Sequence, residues 1–402
     1  MSHVVVVGAG QAGASCAVKL RNLGYDGQIT VVGAEPVPPY QRPPLSKAYL
    51  LGEMAMERLF LRPREFYEDN QIDLQLGYRV QKIDVAAQSV TVSDEKLFYD
   101  DLVLTTGSSP NRLPEAIGGA LKGVFVVRDL ADVDAMAPHF VAGARVLIVG
   151  GGYIGLEAAA VAAKRGLSVT LVEKAERILQ RVAAPETSDF FRDLHRAHGV
   201  SIKEGVGLET LTGTTVVTGA RLSDGTICEA DFVIVGVGIS PATALADAAG
   251  IALENGIRVD ALGRTSVSRV WAAGDCASFP HGDTRIRLES VPNAIEQAEC
   301  VAKNIMGAGQ AYLAKPWFWS DQYDVKLQIA GLNTGYDKVV TRRGEGQTVS
   351  FWYYRGGRLL AVDAMNDPRG YMVGKRLIET GQSPDPASIA APETDLKALL
   401  RA

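Results

Sequence analysis

The residues best suited to chemistry in this chain are two sets of glycines. The sets are Gly8, Gly10 and Gly13 near the start, and Gly150, Gly152 and Gly155 further on. In this spacing the first glycine allows a tight turn, the second lets the backbone approach a pyrophosphate, and the third packs a helix against a strand. The N-terminus of that helix offers free N–H groups and a partial positive charge to phosphates. The pattern therefore predicts two sites for dinucleotides.

The elements around the two glycine sets are also alike. Each set follows an apolar strand and precedes a helix, a second strand and an acidic residue, which is Glu35 in the first copy and Glu173 in the second. A carboxylate there hydrogen-bonds ribose hydroxyls, and at Glu173 it would also repel a 2′-phosphate, which favours NADH over NADPH. Lys174 and Arg177 follow closely, so this preference is not strict.

A third acid, Asp275, closes an apolar strand beside Gly274. At the carboxyl end of a strand such an acid can reach a hydroxyl of a cofactor chain without being buried unpaired. A simple helix cap is the alternative interpretation of Asp275.

The length and composition bound the class of protein. The 402 residues exceed the size at which one core keeps growing, so two or three domains are expected. The net charge of −5 lacks the basic footprint of a nucleic-acid-binding protein. No stretch approaches the roughly 20 apolar residues of a membrane span, and the start at Val4–Val7 does not resemble a signal peptide. We expect a cytoplasmic protein that binds neither nucleic acid nor membrane.

The cysteines leave redox chemistry to a bound organic cofactor. The chain has four, with no close pair: Cys16, Cys228, Cys276 and Cys300. This spacing excludes a CxxC redox pair, a zinc knuckle and a cysteine-ligated iron–sulfur cluster. We expect small buried residues in a reducing compartment.

Glycine-flanked apolar runs that include Leu102, Phe232 and Val270 predict further buried parallel strands. From about Val325 onward the pattern changes to antiparallel strands with glycine turns, followed by a helix that ends near Gly381. The tail beyond that helix is rich in Pro and Ala and is expected to be partly disordered. The fold class is therefore α/β, with two Rossmann-like dinucleotide-binding domains and a C-terminal α+β domain.

Together these features resemble the flavoproteins with two dinucleotide-binding domains, in which FAD occupies the first domain and NAD(P)H an inserted second one. The resemblance implies an FAD domain at 1–112 and 243–324, an NADH domain at 113–242 and a third domain at 325–402. A monomer or weak dimer is expected.

The branch of the family is indicated by three further motifs. Where cysteine-dependent members carry a reactive cysteine, Pro39–Lys47 reads PYQRPPLSK and contains no sulfur. With Glu289–Ala294 and Pro316–Tyr323, this segment resembles the bacterial ferredoxin reductases related to putidaredoxin reductase.

The resemblance also implies which residues contact each cofactor. For FAD they are Gly8, Gly10, Gly13, Ala14, Glu35, Arg42, Pro44, Lys47, Thr106, Gly107, Arg128, Gly274, Asp275 and Val291. For NADH they are Gly150, Gly152, Tyr153, Ile154, Gly155, Glu173 and Gly238. Arg42, Pro44 and Lys47 would lie along the isoalloxazine.

Three of the implied site residues are catalytic. Lys47 would lie close to the reactive flavin nitrogen, Glu157 would approach the nicotinamide, and Trp319 would lie near the flavin. A surface charge at Lys47 and a core tryptophan at Trp319 are the alternatives.

By the same resemblance, hydride passes from NADH to FAD, and single electrons then pass to a two-iron two-sulfur ferredoxin that serves a cytochrome monooxygenase. Basic residues would steer this acidic partner, and the candidates are Arg285, Arg287, Lys338, Arg342, Arg343 and Arg369.

Two enzymes remain as alternatives, the reductase component of a ring-hydroxylating dioxygenase and a rubredoxin reductase. A flavoprotein like apoptosis-inducing factor, which binds NADH and acts through protein association, is an alternative of another class.

Overall fold

The computed structural model describes residues 2–401. The helices are α1 (Gln11–Asn22), α2 (Arg64–Asp69), α3 (Leu130–Met136), α4 (Tyr153–Lys164), α5 (Pro185–Ala197), α6 (Ala244–Ala248), α7 (Val291–Ile305), α8 (Pro368–Thr380) and α9 (Pro386–Ala390). Short 3-10 turns occur at Pro43–Ser46, Met56–Arg58, Glu115–Ile117, Ala137–His139 and Ala398–Leu400. Within the described range, no helix is long and apolar enough to cross a membrane.

The strands of the first half of the chain are β1 (His3–Val7), β2 (Gln28–Gly33), β3 (Ile72–Leu76), β4 (Val80–Asp84), β5 (Ser89–Val92), β6 (Glu95–Phe98), β7 (Asp101–Leu104), β8 (Ser108–Pro110), β9 (Val124–Phe125), β10 (Arg145–Val149), β11 (Ser168–Glu173) and β12 (Ser201–Glu204). Those of the second half are β13 (Leu208–Gly213), β14 (Val217–Leu222), β15 (Ile227–Glu229), β16 (Phe232–Val235), β17 (Ile239–Pro241), β18 (Ile257–Arg258), β19 (Val270–Ala272), β20 (Ala277–His281), β21 (Thr284–Ile286), β22 (Trp317–Gln322), β23 (Val325–Gly331), β24 (Lys338–Arg343), β25 (Val349–Arg355) and β26 (Arg358–Met365).

The chain divides into two compact units. Unit 1 contains the residues up to Arg42, Ala55–Ser109 and Ile239–Pro316. Unit 2 contains Pro43–Met54, Pro110–Gly238 and the residues from Trp317 onward. Most of the residues that the sequence divides between an NADH domain and a third domain thus fall in unit 2, together with the short segment that carries Pro44 and Lys47. Residues 239–242 of the predicted NADH domain lie in unit 1.

Unit 1 is built on a parallel sheet with the strand order β19-β7-β1-β2-β3. The β-branched run of β1 suits a strand covered on both faces, and Val4, Val5 and Val6 are completely buried. One face packs against α1 and α7, and the other against the β4–β5–β6 sheet and β20. The predicted buried strands around Leu102 and Val270 are confirmed as β7 and β19.

Unit 2 contains a second parallel sheet, with the order β12-β11-β10-β16-β9. One of its faces is covered by the β13–β14–β15 sheet. Helix α4 contacts β10, β11 and β16. Its alanines are good helix formers, and Ala158–Ala162 are all buried, as expected for a helix that packs closely on a sheet.

The third sheet, also in unit 2, is antiparallel with the order β22-β23-β26-β25-β24, and α8 packs on β26. Strand β22 pairs with β23 along its whole length, from Trp317 opposite Ala330 to Gln322 opposite Val325. The sheet therefore begins at Trp317, whereas the sequence places the start of the third domain at 325. Tyr323 forms the hairpin turn with a φ of 55°. The turn contains no glycine, the residue that usually indicates such a turn in a sequence, so the hairpin was not predicted.

The C-terminal tail makes ordered contacts, and the expected partial disorder is not what the structure shows. Helix α9 buries Ile389, and the segment after it buries Leu396. The Arg342 guanidinium donates hydrogen bonds to the carbonyl oxygens of Ile389 and Ala391 at 3.0 and 2.6 Å. A proline-rich composition did not reveal these few apolar anchors.

Candidate active site

The first glycine loop, in unit 1, has a shape that only glycine permits at two of its three positions. Gly8 has a φ of 115°, and a Cβ there would collide with the carbonyl oxygen of Thr105. A Cβ at Gly13 would collide with the carbonyl oxygen of Gly8. At Gly10, by contrast, a Cβ would meet none of the atoms of residues 2–401 within 4 Å. The loop is therefore tightly closed on one side and open at Gly10, where a phosphate could approach.

The second loop, in unit 2, repeats this arrangement. A Cβ at Gly150 would collide with the carbonyl oxygen of Gly236, and one at Gly155 with that of Gly150. Gly152 faces space that is free to 4 Å within the described chain. The two loops thus fit a pyrophosphate in the same way.

Both helices that follow these loops begin with N–H groups that have no side-chain cap within residues 2–401. The N-cap residues Gly10 and Gly152 are extended and provide no side-chain cap, and neither first turn contains an acid. These N-termini therefore combine unpaired donors with the positive end of the helix dipole. The N–H of Ala14 is already bonded to the carbonyl oxygen of Gly10, so Ala14 can contribute only packing. Tyr153 and Ile154 open α4, and Ile154 is exposed.

Thr105 is a functional residue that the glycine pattern did not reveal. Its buried hydroxyl donates to the carbonyl oxygens of Val7 and Gly8 at 3.1 and 2.9 Å. It lies directly after β7, next to the predicted contacts Thr106 and Gly107. Thr105 therefore fixes the loop through the neighbouring strand.

Glu35 is held by two side chains from its own unit. Its carboxylate accepts hydrogen bonds from Arg42 Nη2 and from the Tyr40 hydroxyl, each at 2.5 Å. The Arg42 guanidinium also lies 5.1 Å from the centre of the Tyr40 ring. The structure thus brings Arg42 to the acid expected at the adenosine ribose, whereas the resemblance placed it along the isoalloxazine.

Glu173 occupies the equivalent position in unit 2. Its two carboxylate oxygens accept hydrogen bonds from the N–H groups of Gly151 and Ala175, both at 2.7 Å. Arg177 is committed to the Ser188 hydroxyl and to the carbonyl oxygen of Ala183. Of the two basic residues that follow Glu173 closely, Lys174 is the exposed one.

Asp275 lies between β19 and β20, and the element that follows it directly is a strand, so the helix-cap interpretation is wrong. Its carboxylate accepts a hydrogen bond from the Ser108 hydroxyl at 2.9 Å. The N–H of the adjacent Gly274 donates to the buried Gln297 at 2.8 Å, a contact that sequence reasoning missed. Val291 is the first residue of α7, which Ser290 caps.

Three residues implied for FAD belong to unit 2 rather than to the unit that carries the first glycine loop. They are Pro44, Lys47 and Arg128. The backbone N–H of Arg128 donates to Asp132 in the capping box of α3. In the same unit, Gly238 has a φ of 95° and accepts a hydrogen bond from the N–H of Asn111.

Lys47 and Glu157 form an ion pair in unit 2. Lys47 Nζ lies 2.8 Å from Glu157 Oε2 and 3.3 Å from the carbonyl oxygen of Pro43. The Ser46 hydroxyl donates to the same Glu157 oxygen at 2.6 Å. Glu157 is 2% exposed, so its charge depends on these partners. Lys47 is therefore not a simple surface charge.

Trp319 is partly exposed and belongs to an aromatic row on β22. Its ring stacks on Trp317 at 5.5 Å between centroids and lies 6.4 Å from Phe318. A partly exposed indole in such a row does not fit the interpretation of Trp319 as an ordinary core residue.

The four cysteines are free thiols, and Cys16, Cys276 and Cys300 are buried. Burial raises the pKa of Cys16 to about 12 and raises the pKa of Cys276 and Cys300 as well. Such thiols are inert at neutral pH, because the thiolate is the reactive form.

Comparison with known proteins now defines the family. Residues 2–298 match the family model described as pyridine nucleotide-disulphide oxidoreductase, and residues 317–400 match the model described as reductase C-terminal. The chain belongs to the pyridine nucleotide-disulphide oxidoreductase family. It is an FAD-dependent oxidoreductase that uses a nicotinamide cofactor, and the predicted fold class is confirmed.

Within the family, the oxidoreductase belongs to the ferredoxin reductases of the putidaredoxin reductase type. It is 47% identical to a ferredoxin–NAD(P)(+) reductase of Sphingomonas sp., over 94% of this chain and 92% of that protein. It is 41% identical to putidaredoxin reductase of Pseudomonas putida, over 100% of this chain and 97% of that protein. A crystal structure of the covalent putidaredoxin reductase–putidaredoxin complex superposes with a TM-score of 0.96 at 40% identity, covering 100% of this chain and 98% of that chain.

Three of the six basic residues suggested for partner steering in this oxidoreductase have internal partners. Arg285 pairs with Glu254 and donates to two carbonyl oxygens, Arg287 pairs with Glu289, and Arg342 holds the tail. The other three are exposed: Lys338, Arg343 and Arg369. Only these three fit the steering role.

A buried carboxyl of the oxidoreductase makes its stability depend on pH. Asp363 accepts hydrogen bonds from the hydroxyls of Tyr353 and Thr187, and burial raises its pKa to about 6. Because the unfolded value is about 4, the protonated form stabilises the fold below that pH. This contribution, about 3 kcal/mol, is lost as the pH rises through 6.

We therefore predict that Asp363→Asn changes the pH dependence of unfolding. Relative to the variant, the wild type should gain about 2.4 kcal/mol in free energy of unfolding between neutral pH and pH 4. Urea unfolding of both proteins across this range, in the same cofactor state, measures the difference. Parallel profiles would show that Asp363 does not titrate in this window.

Proposed function

We propose that this protein transfers electrons from NADH through FAD to a two-iron two-sulfur ferredoxin. The observation that carries the proposal is the pair of equivalent glycine loops, one in each unit, combined with the ion pair between Lys47 and the buried Glu157 carboxylate. When bound, the flavin converts a two-electron donor into single-electron steps. The protein supplies binding, orientation and charge.

In unit 1, the open backbone at Gly10 and the N-terminus of α1 would hold the FAD pyrophosphate. Glu35, with Arg42 and Tyr40 fixing its carboxylate, would bind the adenosine ribose. Asp275, oriented by Ser108, would bind a hydroxyl of the ribitol chain. These donors and acceptors match the successive parts of the cofactor without requiring a buried unpaired charge.

In unit 2, Gly152 and the N-terminus of α4 would hold the nicotinamide cofactor, with Glu173 on its ribose. Lys47 would present its ammonium group to the flavin, and Glu157 would keep that group in place. Trp319 would lie near the flavin. Lys47 then acts by electrostatics and position, because hydride transfer requires no separate proton from the donor.

NADH is proposed as the preferred donor over NADPH. Glu173 places negative charge where a 2′-phosphate would bind, and Arg177 is committed to partners inside the unit. The exposed Lys174 would stabilise a bound 2′-phosphate only slightly, because an ion pair of an exposed lysine is weak and ordering the side chain costs entropy.

Glu173→Ala is predicted to weaken NADH binding about tenfold and NADPH binding less, because only NADH loses its ribose hydrogen bonds. The dissociation constants of both nucleotides, measured on the FAD-loaded protein, test this. Glu173→Gln serves as the control that keeps the size of the side chain without its charge. An unaltered NADH-to-NADPH ratio in Glu173→Ala would rule out the ribose assignment.

The proposed acceptor is an external one-electron carrier. The cysteines of residues 2–401 are unpaired, and the pKa of each is raised by burial, so a dithiol relay within the chain is not supported. The exposed Lys338, Arg343 and Arg369 would steer an acidic ferredoxin. The cytochrome monooxygenase beyond it and the cytoplasmic location stay predictions.

The deciding experiment is anaerobic reduction of the bound flavin by NADH and by NADPH, followed by electron transfer to a two-iron two-sulfur ferredoxin or to rubredoxin. Fast bleaching by NADH and fast reduction of the ferredoxin are expected. Faster transfer to rubredoxin would instead favour a rubredoxin reductase. Bleaching without transfer to either protein would overturn the proposed acceptor and leave a flavoprotein that binds NADH and acts by association.

A further inference from the structure

The second carboxylate oxygen of Glu157 is the end of a row of hydrogen-bonded side chains. Its Oε1 accepts from the Ser320 hydroxyl at 2.6 Å, and Gln322 Nε2 donates to Ser320 at 3.2 Å. Gln322 Oε1 lies 2.8 Å from His195 Nε2, and the Tyr323 hydroxyl lies 3.2 Å from His195 Nδ1. We name Ser320, Gln322, His195 and Tyr323 the donor chain.

The direction of every bond in the donor chain follows from the bond before it. An ionised carboxylate only accepts, so Ser320 must give its single hydrogen to Glu157. Gln322 must then present its N–H group to Ser320, which leaves its carbonyl oxygen facing His195. His195 must therefore carry its hydrogen on Nε2, and its Nδ1 accepts from Tyr323. Each hydrogen points toward Glu157.

Burial keeps the donor chain in this state. Ser320, Gln322 and His195 are completely buried, and desolvation lowers the pKa of His195 to about 4. The imidazole is therefore neutral at physiological pH. The amide of Gln322 interrupts any proton wire, because it could pass a proton on only through an unstable imidic acid form. The chain is thus suited to holding a charge, not to moving a proton.

We propose that the donor chain positions the Lys47–Glu157 pair for flavin reduction, an inference that rests on the proposed function of that pair. Ser46 and Lys47 serve one oxygen of Glu157, and Ser320 serves the other. With both oxygens fixed, the carboxylate has one orientation and holds the Lys47 ammonium group at one place. Ser320, Gln322 and His195 are positioning residues that act through Glu157.

The hydrogen positions can be tested by NMR on the FAD-loaded protein with ¹⁵N-labelled histidine. The signal that disappears in His195→Gln identifies His195 among the five histidines. The donor chain requires the Nε2–H tautomer at neutral pH. The Nδ1–H tautomer, or a protonated ring, would overturn the inference whatever the flavin kinetics show.

The positioning effect can be tested by stopped-flow reduction with NADH. Ser320→Ala should lower the limiting rate of flavin reduction about tenfold and change the dissociation constant of NADH by less than about twofold. Ser320→Thr keeps the hydroxyl and should restore most of the rate. Ser350→Ala removes another completely buried serine of unit 2, which accepts from the Trp352 indole at 3.0 Å, and should leave the rate unchanged.

Two kinetic outcomes would overturn the positioning role. One is an unaltered rate in Ser320→Ala while Lys47→Ala is slow, and the other is an equal loss in Ser320→Ala and Ser350→Ala. A wild-type rate in Lys47→Ala would instead refute the proposed function of the ion pair, and the histidine tautomer would still decide whether the donor chain exists.

Discussion

Gly10→Ala is expected to weaken FAD binding strongly while leaving the protein folded. A Cβ at this position meets no atom of the described chain within 4 Å, so the substitution costs little in the absence of the cofactor. The added methyl group would occupy the space through which the pyrophosphate approaches the backbone. We expect the affinity for FAD to fall about 100-fold, or about 2.7 kcal/mol. Titration of the apo-protein with FAD, together with its thermal unfolding, measures both effects.

Two glycine variants serve as matched controls for this result. Gly13→Ala would drive its methyl group into the carbonyl oxygen of Gly8, so we expect a loss of about 3 kcal/mol in stability even without FAD. Gly152→Ala also faces open space, but in the second loop, and should weaken NADH binding while FAD is retained. If Gly10→Ala binds FAD normally, or if Gly152→Ala is the variant that loses it, the assignment of the loops is wrong.

Lys47→Ala is expected to slow the reduction of the bound flavin by NADH on the order of 100-fold without releasing FAD. The reason is the geometry of the pair: Lys47 Nζ is 2.8 Å from a carboxylate that is itself buried, so the ammonium group is fixed in place before the reaction. A preorganised charge of this kind stabilises a transition state more than a mobile one does. Anaerobic stopped-flow absorbance of the flavin gives the rate.

Lys164 provides a control for Lys47: it is a lysine that also pairs with a glutamate in unit 2, but it lies outside the proposed site. Lys164 lies on helix α4, as Glu157 does, and pairs at 2.9 Å with Glu53, which belongs to the same 43–54 segment as Lys47. Both side chains of this second pair are more than half exposed. Lys164→Ala should therefore change the rate by less than twofold, since exposed ion pairs contribute little. Equal rates for wild type and Lys47→Ala would refute the role given to Lys47.

Much of the fold could be predicted from the sequence, because the signals that define it are local. The glycine spacings were read directly, and the structure shows why two glycines in each loop cannot carry a Cβ. The valine-rich strands and the capped helix ending at Gly381, which adopts a φ of 72°, were equally local signals. A positive φ or a run of β-branched residues constrains the backbone wherever the segment lies in the chain.

The partners of the site residues could not be predicted in this way. Glu157 is 111 residues from Ser46 and 163 residues from Ser320. The residues next to each of them in the sequence contain no pattern that predicts these contacts. The same holds for Arg342, which looked like a free surface charge and instead binds the tail about 50 residues further on. The role of a polar side chain depends on which group it contacts, and that contact exists only in the folded chain.

The sequence by itself determined that this protein binds two dinucleotides and has no closely spaced pair of cysteines. The spacing of the glycines and the spacing of the cysteines are properties of residue type and order, so they can be recognised without a structure. Only the tertiary structure decided that Arg42 pairs with Glu35, that Trp317–Gln322 is the first strand of the C-terminal sheet, and that Glu157 ends a one-way chain of donors. These features depend on distances between residues far apart in sequence, and on burial, which makes a polar group costly to leave without a partner.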